Sequence, residues 1–158
     1  MSESAGRANH EQGAPVATGT VAVGVDGSEG SRRALRWAAA EARLRGAGLR
    51  VVQAWTYLDQ PGDRFDPTFA EDDVRRQLQA ELDAIGPEAE GLAVELVAVC
   101  DLPVRGLLDA SDGADLLVVG ARGLGGFEGL LLGSVSQQVA HHARGPVVIV
   151  PGEERATA

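Results

Sequence analysis

The chain has 158 residues, enough for one domain with a buried core, and 44% of them are hydrophobic. Its formal net charge of −9 argues against general nucleic-acid binding, because this field would repel a phosphate backbone. All 14 basic residues are arginines, which excludes a Schiff-base lysine and the lysine of a Walker-type phosphate loop.

Nothing in the sequence indicates a membrane or an oxidising compartment. No apolar run approaches the roughly 18 residues of a membrane span. Residues 1–19 lack the apolar core of a signal peptide, and residues 1–18 are expected to form a disordered leader. The single cysteine, Cys100, cannot form an intramolecular disulfide and is expected to be a buried small hydrophobe. We expect a cytoplasmic protein.

Strands and helices alternate in the first half of the chain. The apolar run over 20–25 predicts a buried strand, and helical spacing of Leu35, Ala38, Ala39 and Ala42 predicts a helix over about 31–45. Ser28 or Ser31 is its expected N-cap. A second strand is predicted over 49–55, a loop over 56–68 and a second helix over about 69–85.

The same alternation continues in the second half. A third strand is predicted over 92–100, and Pro103 is expected to open a short helix at its first turn. Residues 115–120 predict a fourth, fully buried strand. A glycine-rich loop, a helix over about 134–144, a strand over 146–150 and a flexible tail over 152–158 complete the prediction.

This order of elements predicts an α/β fold, with a single domain over 19–151. The domain is expected to be one open, mostly parallel five-stranded sheet with helices on both faces. Ligands bind such sheets beyond the carboxyl ends of strands where the winding reverses. If the first and fourth strands are neighbours, the strand order is 3-2-1-4-5. The turn Asp26-Gly27-Ser28 then meets the loop after Val119.

The glycine-rich loop has the context of a phosphate-binding loop. A strand leads into Gly120, and a helix is expected to begin at about Ser134, its predicted N-cap. Glycines let backbone N–H groups approach phosphate oxygens, and Arg122 supplies a permanent cation nearby. The alternative is an ordinary loop followed by an ordinary cap. The loop is not a dinucleotide fingerprint, which belongs to the first strand–helix turn.

The spacing of these residues resembles a known family. Gly120, Gly123, Gly133 and Ser134 reproduce the pattern of glycine, two residues, glycine, nine residues, glycine-serine. With the opening VAVGVDGSEGSRRALRWA, this is similar to the ATP-binding branch of the universal stress protein family, over residues 20–151. The resemblance implies strand order 3-2-1-4-5, a bound ATP with Mg²⁺, and a homodimer through the last strand.

The resemblance also implies which residues bind the nucleotide. Gly24 would let the ligand approach, Asp26 would lie beside the adenosine, and Ala54 would line the adenine pocket. The ribose and phosphates would be wrapped by Gly120, Ala121, Arg122, Gly123, Leu124, Gly125 and Gly126. The phosphate tail would be held by Gly133, Ser134, Val135 and Ser136. No catalytic residue and no metal-ligating side chain is expected.

The resulting hypothesis is an ATP-binding regulatory protein of the stress response, with slow or no hydrolysis and an unidentified protein partner. An alternative is a nucleotide α-hydrolase, either an ATP pyrophosphatase or an adenylating ligase. Such enzymes carry Ser-Gly-Gly-x-Asp-Ser after the first strand, whereas this chain has Gly24-Val25-Asp26-Gly27-Ser28. A third possibility is an interaction module that has lost its nucleotide, which the intact glycine pattern disfavours.

Overall fold

The computed structural model describes residues 16–57, 71–122 and 132–152, which form a five-stranded parallel sheet with helices on both faces. The strands are β1 (Thr20–Gly24), β2 (Gly48–Trp55), β3 (Val94–Cys100), β4 (Leu116–Gly120) and β5 (Val147–Val150). The helices are α1 (Glu29–Arg45), α2 (Glu71–Ile85), α3 (Pro103–Ala110) and α4 (Ser134–His142), with a short 3-10 turn at Gly86–Ala89.

The strand order is β3-β2-β1-β4-β5, and every adjacent pair is parallel. The predicted fold class and strand order are therefore confirmed. Residues 1–15, 58–70, 123–131 and 153–158 lie outside the described residues, so most of the predicted leader and tail lies there too. At the start of the described part, the amide of Thr18 donates to the carbonyl of Gly46 at 2.9 Å.

Each face of the sheet has its own apolar core. Successive residues of a strand point to opposite faces, so Val21 and Val23 of β1 pack on the α1 side and Ala22 on the α3 side. The predicted stripe of α1 is fully buried, and its alanines let the helix approach the sheet closely. Leu35 within that stripe contributes about 2 kcal/mol through burial.

One predicted environment is wrong: Cys100 is exposed. It is the last residue of β3, which is an edge strand with no fully buried residue. A short apolar run at the edge of a sheet looks the same in sequence as one at its centre. The exposure of Cys100 therefore depends on the position of β3 in the strand order, which the run itself does not show.

Among the described residues, no helix is both long enough and apolar enough to cross a membrane.

Candidate functional site

The winding of the sheet reverses between β1 and β4. From β1 the chain proceeds to β2 and β3 on one side, and β4 and β5 lie on the other. Val21 pairs with Leu116 and Val23 with Val118, so both strands run in the same direction and end at the same edge. The turn after β1 and the segment after β4 therefore meet at the carboxyl edge. This crevice is where open α/β sheets bind ligands.

The turn after β1 is ordered by its own polar side chains. Oδ1 of Asp26 accepts a hydrogen bond from the amide of Ser28 at 2.9 Å, and Gly27 has a φ of +84° that favours glycine. Ser28 is the N-cap of α1, and its Oγ accepts from the amide of Ser31 at 3.1 Å. The exposed carboxylate of Asp26 thus has a structural role in the turn, and it lies at the switch point.

The buried side chain of Ser31 links the two ends of this turn by hydrogen bonds. The residue is 5% exposed, and its hydroxyl donates to the carbonyl of Ser28 at 3.0 Å and accepts from the amide of Asp26 at 3.2 Å. Sequence reasoning considered Ser31 only as a possible cap of α1. The Ser28-x-x-Ser31 spacing could have indicated its place in the first helical turn, but not its bond back to Asp26.

Close contact between two glycines brings α1 against the end of β4. A β-carbon at Gly120 would lie 2.8 Å from the carbonyl oxygen of Gly30, and a β-carbon at Gly30 would overlap the carbonyl oxygen of Arg122. Sequence reasoning missed Gly30, although a glycine in the first turn of a helix is unfavourable enough to suggest a packing reason. Gly120 therefore has a structural function in addition to any ligand contact.

Gly24 and Ala54, which are predicted to lie near the adenosine, both pack against α3. A β-carbon at Gly24 would lie 2.6 Å from Cδ2 of Leu107, so the glycine makes room for this leucine. The structure thus gives Gly24 a packing role beside α3, and its expected role of letting a ligand approach stays a prediction. The β-carbon of Ala54 lies 3.1 Å from the position that a β-carbon would take at Gly106. The assignment of Ala54 to an adenine pocket stays a prediction.

The carbonyl of Ala121 joins the two ends of the glycine-rich loop. It accepts a hydrogen bond from the amide of Gly133 at 2.6 Å and another from Oγ of Ser136 at 2.8 Å. Ala121 is 6% exposed and Ser136 3% exposed, so these bonds are shielded from water. Gly123, Leu124, Gly125 and Gly126 lie outside the described residues.

The N-terminus of α4 differs from the prediction. Gly133, not Ser134, is the N-cap, and it has an extended backbone with a φ of −75° and a ψ of 171°. Ser134 is the first helical residue, and α4 has no capping hydrogen bond from a side chain. Gly133 is the N-cap because its carbonyl already accepts the first helical hydrogen bond, from the amide of Gln137 at 3.1 Å.

The available donors at this helix end are consequently backbone groups. The amides of Ser134, Val135 and Ser136 occupy the first three helical positions, which have no partner inside the helix. The hydroxyl of Ser136 donates to Ala121, so this residue can offer a ligand its amide rather than its hydroxyl proton. Val135 likewise uses its side chain for packing between α3, α4 and the sheet.

Arg122 adds a positive charge to the same edge. It follows Ala121 directly, its side chain is exposed, and within the described residues that side chain has no hydrogen bond or ion pair. Its Nη2 atom lies 3.8 Å from the position of a β-carbon at Gly152, beyond the end of β5. In the described part of the chain, no group of three or more histidine, cysteine, aspartate or glutamate residues could hold a metal ion.

A cleft of about 660 Å³ lies at the opposite, amino-terminal edge of the sheet. It is bounded by the C-terminal ends of α3 and α4 and includes Asp109, Asp112, His142 and Arg144. Because it is separated from the switch point by the length of the strands, it is not part of the candidate site.

The family is decided by the match to its sequence model. That model, described as the universal stress protein family, matches residues 18–151. The chain belongs to this family. A universal stress protein of Mycobacterium tuberculosis strain H37Rv is 39% identical over 132 residues, which are 82% of this chain and 44% of the relative. The chain therefore spans less than half the length of that relative.

Two solved structures of universal stress proteins are similar to this one. One, in complex with cAMP, is 34% identical with a TM-score of 0.60 and covers 85% of this chain and 97% of that one. The other, from Archaeoglobus fulgidus in complex with dAMP, is 28% identical with a TM-score of 0.63 and covers 84% and 98%. Both relatives hold an adenine nucleotide.

Proposed function

We propose that this universal stress protein binds an adenine nucleotide at the switch point between β1 and β4, with ATP as its ligand in the cell. The observation that carries the proposal is the N-terminus of α4, where three amides without helical partners lie at the same edge as the Asp26 turn. The adenine nucleotides in the two related structures support the ligand class. The nucleotide would act as a regulatory signal read by a partner protein.

The residues at the edge suit the two ends of a nucleotide. The phosphates would accept hydrogen bonds from the amides of Ser134, Val135 and Ser136, at the positive end of the α4 dipole. Arg122 adds a full charge on that side. The adenosine would lie toward Asp26 and Ala54. Any Mg²⁺ would be held chiefly by phosphate oxygens and water, because the described residues offer no cluster of metal ligands.

We further propose that hydrolysis is slow or absent. Rapid phosphoryl transfer needs several positioned cations and a group that activates the attacking water. The chain contains no lysine, and the charged side chains that the described part of the edge supplies include Arg33, Arg122 and the already bonded carboxylate of Asp26. Release of ADP or AMP is expected to lie far below the roughly 1–100 per second of dedicated phosphoryl-transfer enzymes.

The alternative of a nucleotide α-hydrolase gains no support from the turn after β1. An enzyme that holds phosphates in this turn needs unoccupied amides there. In this chain the amide of Asp26 donates to Ser31 and that of Ser28 donates to Asp26. These two amides are therefore not available to a phosphate, whereas the first three amides of α4 have no helical partner.

Calorimetric titration of the full chain with ATP, AMP and adenosine, each with Mg²⁺, tests the proposed function. We expect both nucleotides to bind with one site per chain. Mass spectrometry of the ligand that accompanies the native protein would identify the nucleotide held in the cell. Absence of binding by ATP and by AMP would refute the proposal.

We also propose a homodimer through β5, which lies at one edge of the sheet. The amides of Leu117 and Ala121 donate to the carbonyls of Pro146 and Val150, so the backbone groups of Val147 and Ile149 point away from β4. An apolar strand with outward-facing donors and acceptors favours pairing with a second copy across a two-fold axis.

The opposite edge is partly closed. Nη1 of Arg75, on α2, donates to the carbonyl of Leu96 on β3 at 2.9 Å. This carbonyl belongs to the outward-facing set, because the amide of Leu49 donates to the carbonyl of Ala93 and the amide of Asp101 to that of Trp55. A charged side chain that occupies an edge carbonyl disfavours pairing there.

Replacing Ile149 with proline should therefore convert the dimer to a monomer. Proline removes an amide that points away from β4, so the bonds between β4 and β5 are retained. Ala98→Pro is the matched control, because it removes an outward amide at the other edge and should leave the dimer unchanged. Sedimentation velocity, with thermal melting to confirm folding, gives the answer. A wild type that is monomeric at micromolar concentration, or a folded Ile149→Pro variant that stays dimeric, would contradict the prediction.

A further inference from the structure

One flank of α1 carries a large apolar side chain beside the free edge of the sheet. The other flank faces α2, where Arg32 pairs with Glu81 at 3.1 Å and Arg36 lies 3.4 Å from Glu88. Because successive helical residues are about 100° apart, Trp37 lies on the opposite side of α1 from this flank. The helix packs over β1 and β4, so the flank with Trp37 is directed toward β5.

Trp37 and β5 form one apolar surface on this face of the sheet. Val148 and Val150 point to the α1 side, and each is half-buried, as Trp37 is. All three pack against the core beneath α1. Glu41, one turn further along the same flank, pairs with Arg45 at 2.7 Å, so its charge is compensated. We call Trp37, Val148 and Val150 the α1–β5 surface.

Pairing of β5 alone is smaller than a stable dimer needs. The strand has four residues, whereas a stable interface buries about 1,200–2,000 Å² of total surface. A homodimer through β5 therefore requires further contact beside the strand. The α1–β5 surface adjoins the outward-facing edge of β5 and offers apolar and aromatic area, which the cores of dimer interfaces are rich in.

The symmetry of such a dimer brings the two copies of this surface together. Antiparallel pairing of β5 with its copy continues the sheet, so the two-fold axis is normal to the sheet and both α1 helices lie on one face. With strands about 4.8 Å apart, the two helix axes are about 20 Å apart, twice the spacing of packed helices. Only large side chains can fill the space between them. Trp37 is the central residue of the 17-residue helix, which places it near the level of the axis.

We propose that Trp37 packs against the partner's Trp37 across the two-fold axis and covers Val148 and Val150 of both copies. This inference rests on the proposed homodimer, since it assigns the contact that the dimer makes beyond its paired strands. Tryptophan is enriched among the few residues that dominate the affinity of protein interfaces. The partner that the α1–β5 surface fits is therefore a second copy of this chain.

Sedimentation velocity over a dilution series tests the contact by measuring the dissociation constant of the dimer. We expect Trp37→Ala to raise this constant by about tenfold or more, and Trp37→Phe, which keeps an aromatic ring, to raise it less. Leu44→Ala is the matched control, because Leu44 is an apolar residue of the same helix that is 83% exposed. It should dimerise as the wild type does. Thermal melting of each variant establishes that it folds.

Tryptophan fluorescence gives a second readout, which a purely structural role of Trp37 would not change. The chain has two tryptophans, and Trp55 is already only 6% exposed in a single copy. The emission of the wild type should therefore shift to shorter wavelength as the dimer forms, because Trp37 loses contact with water. The shift should be absent in Trp37→Phe at concentrations where that variant is dimeric. A wild-type emission maximum that stays the same in monomer and dimer would overturn the inference.

The outcomes separate this inference from the proposals beside it. A wild type that is monomeric at every concentration would refute the homodimer and this contact together. A folded Trp37→Ala variant that dimerises as tightly as the wild type would overturn the contact and leave the homodimer through β5 standing. Nucleotide binding is measured separately: the affinity of Trp37→Ala for ATP should stay within about twofold of the wild type, because Trp37 lies in the middle of α1, away from the carboxyl edge.

Discussion

Replacing Gly30 with alanine is expected to lower the free energy of unfolding by about 2 kcal/mol. A β-carbon at this position overlaps the carbonyl oxygen of Arg122, and that atom belongs to the backbone after β4, which cannot rotate away as a side chain could. Either α1 or the end of β4 must shift. Because Gly120 packs against Gly30 in the same contact, the shift would also disturb the approach to the candidate site.

A loss of stability in Gly30→Ala would distinguish the contact with β4 from helix propensity, because the two predict changes of opposite sign. In an unhindered helical position, alanine is about 1 kcal/mol more favourable than glycine, so helix propensity alone predicts stabilisation. Only the contact with the end of β4 reverses that expectation. Urea unfolding followed by circular dichroism measures the difference directly.

Gly145→Ala is the control for this experiment. A β-carbon at Gly145 meets nothing within 4 Å, and the residue does not need a positive φ. Its substitution should change the unfolding free energy by less than about 0.5 kcal/mol. A Gly30→Ala variant as stable as the wild type would show that α1 and β4 are less closely packed than the structure indicates.

Much of the fold could be predicted because it depends on regular patterns. The apolar run of β1 and the helical spacing of Leu35, Ala38 and Ala42 each report burial along one element. Alternation of strands and helices, with right-handed crossovers, then leaves few possible sheets. The strand order itself came from the resemblance carried by Gly120, Gly123, Gly133 and Ser134, together with the expectation that the ends of β1 and β4 meet.

The reasons behind individual glycines and serines could not be predicted. A β-carbon at Gly24 would not fit because Leu107 lies across from it, and Leu107 is distant in sequence. Ser136 looked like a phosphate ligand because it follows the glycine motif, but its hydroxyl bonds to Ala121, fifteen positions earlier. A sequence shows that a residue is small or polar. Only the packing of elements shows which neighbour requires it.

Replacing Ser134 with proline is expected to weaken binding of ATP and of AMP by about tenfold or more. Proline at the first position of a helix removes a single amide that has no helical partner, and helices tolerate it there. Gly133 already has the extended backbone that a residue before proline adopts, with a φ of −75° and a ψ of 171°. The substitution therefore removes one phosphate donor from α4 while preserving the bond from the amide of Gly133 to Ala121.

Ser134→Ala is the matched control, because it removes the hydroxyl and keeps the amide. It should weaken binding only slightly, since Ser134 is not the cap of α4. Circular dichroism and thermal melting establish that both variants fold, and calorimetric titration with ATP and AMP gives the affinities. The proline variant should lose affinity for both nucleotides. Equal affinities in Ser134→Pro and Ser134→Ala would show that the amide of Ser134 does not hold a phosphate, which would contradict the proposed position of the phosphates.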